Sequence, residues 1–179
     1  INTSTTFDKN HLSKYLAIND LTDAHHSSEW INERFYFDTV QGKLIPIGFD
    51  GDGVNEFVLK ELSIQKKDPW RSTYFNDIEF TKNYVRNLEL VSDKLYLDEF
   101  FKRNLKEFKR NQSILFKSYP ALNMRPDNLY KNQEVIKEYL NPPSPLNVFL
   151  QNINKNEVEL NIGNNQIFPI EIIALKIGN

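Results

Sequence analysis

Asn32 and Asp50 have the side-chain types and the spacing to share a hard cation. They stand at the two ends of a stretch that reads as a β-hairpin, with strands from Glu33 to Thr39 and from Lys43 to Phe49 and a turn at Gln41-Gly42. An amide and a carboxylate placed this way suit Mg2+, which keeps part of its water shell and takes further oxygens from nucleotide phosphates. Asp52 offers another oxygen ligand two residues on. Upstream, Asp23 and, further off, Asp20 are acidic groups able to accept a proton, and His25-His26 lie between Asp23 and Asn32. A neutral imidazole takes a proton near pH 7 and a protonated one binds phosphate. Each residue also has a plain structural role open to it: Asn32 can cap the strand, Asp50 can start a glycine turn, and one histidine can order its loop.

The run Asp50-Gly51-Asp52-Gly53-Val54-Asn55-Glu56 has a second chemical meaning. Calcium loops set carboxylates at alternate positions around glycine turns, and Asp50, Asp52 and Glu56 fit that register. Gly48 stands where the first Asp of such a loop belongs, and Val54 fills a ligand position of an EF-hand. Calcium at Asp50 to Glu56 is therefore the alternative to magnesium.

The elements that must position these residues are legible around them. Asp8 or Asn10 can cap a first helix carrying Leu12, Tyr15, Leu16 and Leu21, which delivers the chain to the histidine loop. Trp30 is expected in the core, and Arg34 to cover its strand neighbours with its stem. Past Trp70 the pattern becomes helical. Ile78, Thr81, Tyr84, Val85 and Leu88 share one face, Leu97, Phe101, Leu105, Phe108 and Leu115 another, and a third helix runs from Asp127 to Leu140. Asn141-Pro142-Pro143-Ser144-Pro145 ends it, because proline lacks the amide donor and disfavours helix before it. Short strands follow at Leu146 to Gln151, Glu157 to Ile162 and Gln166 to Ile177, with a turn at Gly163-Asn164-Asn165. The expected division is residues 1–140 and residues 141–179.

Composition narrows the function classes. With 22 Lys and Arg against 24 Asp and Glu, the net charge of -2 gives no electrostatic reason to bind nucleic acid. The cluster Lys102-Arg103, Lys106, Lys109-Arg110 reads as the solvated face of a helix. No apolar run approaches the roughly 20 residues of a membrane span. With no cysteine there are no disulfides and no thiolate metal sites. The chain opens on Ile1 rather than Met, as expected of a processed or trimmed piece.

The central stretch resembles the CotH family, the atypical protein kinases first known from spore coats. The matching residues are His25-His26-Ser27-Ser28-Glu29-Trp30-Ile31-Asn32, then Arg34-Phe35-Tyr36-Phe37, then Pro46-Ile47-Gly48-Phe49-Asp50. His26 stands where one variant of the family has His-x-x-x-Trp. Outer segments are similar too: Phe7-Asp8 to Asp20-Leu21, Tyr74-Phe75-Asn76-Asp77 to Val91, and Leu140 to Leu146, the last as in Bacteroidetes-type members.

The resemblance implies an α+β fold: the mainly helical C-terminal part of a protein-kinase-like domain with an active-site hairpin, followed by a short β region. It implies Mg2+ and ATP as cofactors and transfer of phosphate to Ser or Thr of coat or surface proteins outside the cytoplasm. Asn32 and Asp50 would hold the nucleotide's metal with Asp52 as a further ligand, Asp23 would be the base, and His26 would bind phosphate or order the loop. The sequence departs from a whole kinase in lacking a Gly-rich strand and a strand lysine with its helix glutamate. A non-catalytic coat or surface module with kinase-like architecture is the competing expectation.

Overall fold

The computed structural model describes residues 2–51, 58–120, 126–155 and 157–174. The chain divides into two compact units, Ile1–Leu140 and Asn141–Asn179. Among the described residues the fold is α+β, with six α-helices and two separate antiparallel hairpins.

The first unit is built on α2 (Lys9–Thr22), α4 (Ile78–Ser92) and α6 (Asp127–Leu140). Helix α2 starts where Asp8 accepts the backbone N–H groups of Asn10 and His11, each at 3.0 Å, and so satisfies two donors that a helix start leaves unpaired. Leu12, Leu16, Ala17 and Leu21 then recur at helical spacing and are buried against α4. Helix α4 is capped in the same way by Asp77 and buries Phe80, Tyr84, Leu88 and Val91. Each such side chain contributes about 1.5–3 kcal/mol by leaving water.

Helix α6 closes this layer with polar side chains as well as apolar ones. Asn132 is buried, donates to the Leu21 carbonyl at 2.9 Å and accepts the Leu59 N–H at 2.8 Å. Gln133 donates to the carbonyls of Val91 and Asp93 at the end of α4. Both amides answer backbone groups that a helix end or an irregular segment leaves free.

The first hairpin pairs β1 (Arg34–Asp38) with β2 (Lys43–Ile47), in the register Arg34↔Ile47 to Asp38↔Lys43. Its turn is shaped by Asp38, which accepts from Val40 and Gln41, and by Gly42, whose φ of 64° is a left-handed conformation that glycine adopts without steric cost. The hairpin is tied to the chain start. Asp8 N–H donates to the Leu44 carbonyl, Lys43 Nζ reaches the carbonyls of Ser4 and Thr5 beside α1 (Thr3–Thr6), and Phe7 packs on Phe35 with ring centres 5.1 Å apart. These ties fix the hairpin relative to α2, and so relative to the loop that follows it.

Between hairpin and α4 lies the short α3 (Pro69–Tyr74), with proline at its first position. Helix α5 (Lys94–Ser118) is long but buries only Leu97 among its described residues. The second unit holds β3 (Leu146–Ile153) and β4 (Val158–Asn164). The pairing slips near Leu150 and Asn152, where a bulge restores Ile153 opposite Val158.

Several expectations shift. Trp30 is not core: it is 72% exposed, because it sits past the 3-10 turn His25–Ser28, on the surface. Gly163 and Asn164 extend β4 rather than forming a turn, and residues 166–174 form no strand. The last residues of that expected strand lie outside the described residues.

Candidate functional site

The loop that carries the histidines is framed at both ends by α2 and β1. Helix α2 ends at Asp23, whose φ of 52° is left-handed and whose N–H closes the helix onto the carbonyls of Asn19 and Asp20. The chain then makes the 3-10 turn His25–Ser28. A left-handed residue is what lets the backbone reverse here without a glycine.

The adjacent histidines face different carboxylates. His25 is nearly buried, with Nε2 3.5 Å from Asp20 Oδ1 and 3.8 Å from Asp23 Oδ1. Burial, helped by the Lys66 and Arg71 cations, pushes its pKa down to about 3, so it stands neutral beside those acids. His26 is more open. Its Nδ1 lies 3.2 Å from Glu29 Oε2 and its Nε2 3.5 Å from Asp50 Oδ2.

Asn32 and Asp50 meet the same residue from two sides. Asn32, 7% exposed, donates its Nδ2 to the His26 carbonyl at 3.2 Å, which leaves Oδ1 as its acceptor. Asp50 faces the His26 ring and has a φ of 48°. The next residue, Gly51, lies against the loop: an added Cβ would be in ordinary contact, 3.5 Å from Ala24 Cβ and 3.7 Å from Ser27 Cβ. The segment after β2 thus folds back onto the histidine turn.

Asp23 sits apart from that pair, on a small cavity it shares with Lys60, Glu61 and Lys66. Burial raises its pKa, and the Lys66 and Lys60 charges pull it back. Asp20, the more distant acid, is a buried hub: it accepts the N–H and hydroxyl of Ser63 and the hydroxyl of Tyr84. Burial pushes it up to about 7, and those three donors, with Arg71 farther off, hold it from rising further.

Sequence reasoning missed Glu33. It is pushed up to about 7 by burial, which outweighs the Tyr74 hydroxyl donating to it at 3.2 Å and the charge of Arg71. Nothing in its spacing marks it, since its partner Tyr74 lies in α3, far along the chain. Arg34 donates its Nη1 to the carbonyls of Ile31 and Glu33, and its guanidinium lies 5.1 Å from the Phe49 ring centre.

The donor set fits a hard cation in part. Asn32 Oδ1 and the Asp50 carboxylate are oxygen ligands, which Mg2+ prefers. Among the described residues no group of three or more His, Asp and Glu is placed to hold a metal ion. Asp52 and the rest of the calcium register through Glu56 lie outside the described residues.

No helix among the described residues is long and apolar enough to cross a membrane. No protein-family model, curated protein or solved structure matches the chain.

Proposed function

We propose that this chain carries the lower part of a CotH-like phosphotransfer site, in a protein that moves phosphate from Mg-ATP to Ser or Thr of a coat or surface protein outside the cytoplasm. One observation carries the reading. Among the described residues the two non-glycine residues with positive φ are Asp23 and Asp50, the candidate base and the candidate metal ligand. Left-handed backbone costs an ordinary L-residue about 1–2 kcal/mol, though Asp tolerates it better than most. Strain of this kind gathers where function fixes a side chain.

In this reading Asn32 Oδ1 and the Asp50 carboxylate hold Mg2+, which when bound neutralises phosphate charge. The remaining work falls to positioning, as is usual in phosphoryl transfer. The hairpin, tied to Phe7, Asp8 and Lys43, sets Asp50 against the histidine turn. His26 orders the site by binding Asn32 through its carbonyl and facing Asp50 with its ring. Asp23, beside two lysines, accepts the hydroxyl proton, and its raised pKa makes it a better base than an exposed Asp.

A non-catalytic module with the same architecture is favoured by one detail: the Asp50 carboxylate already faces His26. Calorimetric titration with Mg-ATP separates the two, on this chain and on a longer one extended upstream. Binding that is lost in Asp50→Asn supports the enzyme. Absence of binding in both chains supports the module.

A further inference from the structure

Trp30 and Trp70 flank a cavity of about 410 Å3 beside the histidine turn, which neither Asn32 nor Asp50 lines. Their ring centres lie 6.3 Å apart, tilted by 58°. A Trp left 72% exposed gains nothing from folding by that face, so its place beside a second Trp calls for a partner.

The wall beneath holds two cations, Lys66 and Arg71, beside two carboxylates, Glu29 and Asp68. Arg71 is 1% exposed, yet its Nε has no hydrogen-bond partner among the described residues, and neither has Trp70 Nε1. Both atoms are donors only and are covered from solvent, so an acceptor reaches them only once neighbouring side chains move aside. Arg71 Nη2 donates to the Ser28 carbonyl and has the Asp68 carboxylate at 3.4 Å, longer than a good charge-assisted hydrogen bond. Lys66 lines the same cavity, its ammonium 2.7 Å from Glu61. Glu29 is on the rim, turned toward His26.

Asp68 is the informative member. Its side chain is 39% exposed, caps no N–H of α3, and stands over Arg71 as a loosely held carboxylate. It occupies the place where an incoming oxyanion would sit, and it is free to swing toward water.

We propose that this cleft binds an oxyanion, carboxylate or phosphate, carried on an aromatic or aliphatic body: the anion displaces Asp68 from Arg71 and the body lies against Trp30 and Trp70. The volume suits a small molecule or one side chain of a larger partner. Arg71 and Lys66 also bear on the neighbouring His25, adding to the burial that keeps it neutral. The inference does not rest on the phosphotransfer reading, since neither Asn32 nor Asp50 lines the cavity and no metal is involved.

The chain has two tryptophans, and both are in this cleft, so their emission reports binding directly. The whole chain is titrated, without metal or nucleotide, with phenyl phosphate, benzoate, inorganic phosphate and benzyl alcohol. Phenyl phosphate or benzoate gives a saturable change, and whichever binds tighter identifies the anion. Inorganic phosphate and benzyl alcohol bind about tenfold more weakly, the loss expected when the body or one charge-assisted hydrogen bond is missing. Lys66→Gln weakens binding, Asp68→Asn tightens it, and Asp50→Asn leaves it unchanged. Neither Lys66 nor Asp68 is in the core, so both variants fold. The proposal is overturned by no saturable response to either aromatic anion, by benzyl alcohol binding equally well, or by Asp68→Asn weakening the complex.

Discussion

His26 Nε2 lies 3.5 Å from Asp50 Oδ2, while the carbonyl of the same His26 takes the Nδ2 hydrogen of Asn32 at 3.2 Å. One residue therefore ties two side chains that are 18 positions apart in the chain. The two ties differ in kind. The Asn32 bond is part-buried and answers a backbone carbonyl, whereas the Asp50 contact is exposed and screened by water. Asn32→Ala is expected to cost about 1–3 kcal/mol in a urea melt. His26→Ala, which keeps the carbonyl, should cost less than about 1 kcal/mol. Equal losses would mean that the ring, not the backbone, holds the loop.

Asp23 and Asp50 test the strain argument. Glycine adopts positive φ freely but adds freedom to the unfolded chain, so Asp23→Gly and Asp50→Gly should each change stability by less than about 1 kcal/mol. A β-branched residue is a poor fit at positive φ, and Asp23→Val and Asp50→Val should each lose about 1–2 kcal/mol relative to glycine. Thermal melts of the four variants decide it. If Val and Gly behave alike, the backbone relaxes and the strain is not held.

Tyr84 donates to Asp20, a buried acid with two further donors from Ser63. Tyr84→Phe keeps the ring in the core and removes one donor, at a cost of about 1–3 kcal/mol by urea denaturation. Asp20→Ala strands three donors and should cost more. A Tyr84→Phe variant as stable as the native chain would show that the acid does not need that hydroxyl.

The pH profile follows from groups pushed in opposite directions. Asp20 and Glu33 hold their protons to about pH 7 in the fold, and release them near pH 4 when unfolded. The native state then binds more protons, so stability falls as pH rises from roughly 4 to 7. His25, pushed down to about 3, takes a proton only on unfolding below about 6.5, and its effect is that stability rises with pH up to there. Above that point the carboxylates act alone. The urea midpoint should fall between about pH 6.5 and 7.5, and Glu33→Gln should make that fall shallower. A midpoint that rises over this interval would contradict the assignment.

The helices were readable because their signals are local. The Asp8 cap, the Leu12-Leu16 spacing and the proline break after Leu140 each act within a few residues, and α2, α4 and α6 form where those signals lie. The hairpin was readable for the same reason, from Gly42 and the flanking β-favouring residues. What escaped depends on distant partners. Trp30 looked like core by type, but the loop leaves it on the surface beside Trp70, 40 residues away. Glu33 and Asp20 owe their pKa to burial and to Tyr74, Ser63 and Tyr84, none of which sequence spacing brings near. The common link of Asn32 and Asp50 to His26, through its carbonyl and its ring, also escaped, since it needs the segment after β2 folded back onto the turn.

The account stands on Asn32 and Asp50 sharing one cation, and Mn2+ in place of Mg2+ tests this even where nucleotide affinity is low. Mn2+ accepts the same oxygen ligands and broadens the NMR signals of nearby nuclei. With Mn-ATP added to the isotope-labelled chain, the amide signals of His26, Asn32 and Asp50 should broaden first, and Asp50→Asn should abolish the effect. Broadening elsewhere, or broadening that survives in Asp50→Asn, would contradict the metal site.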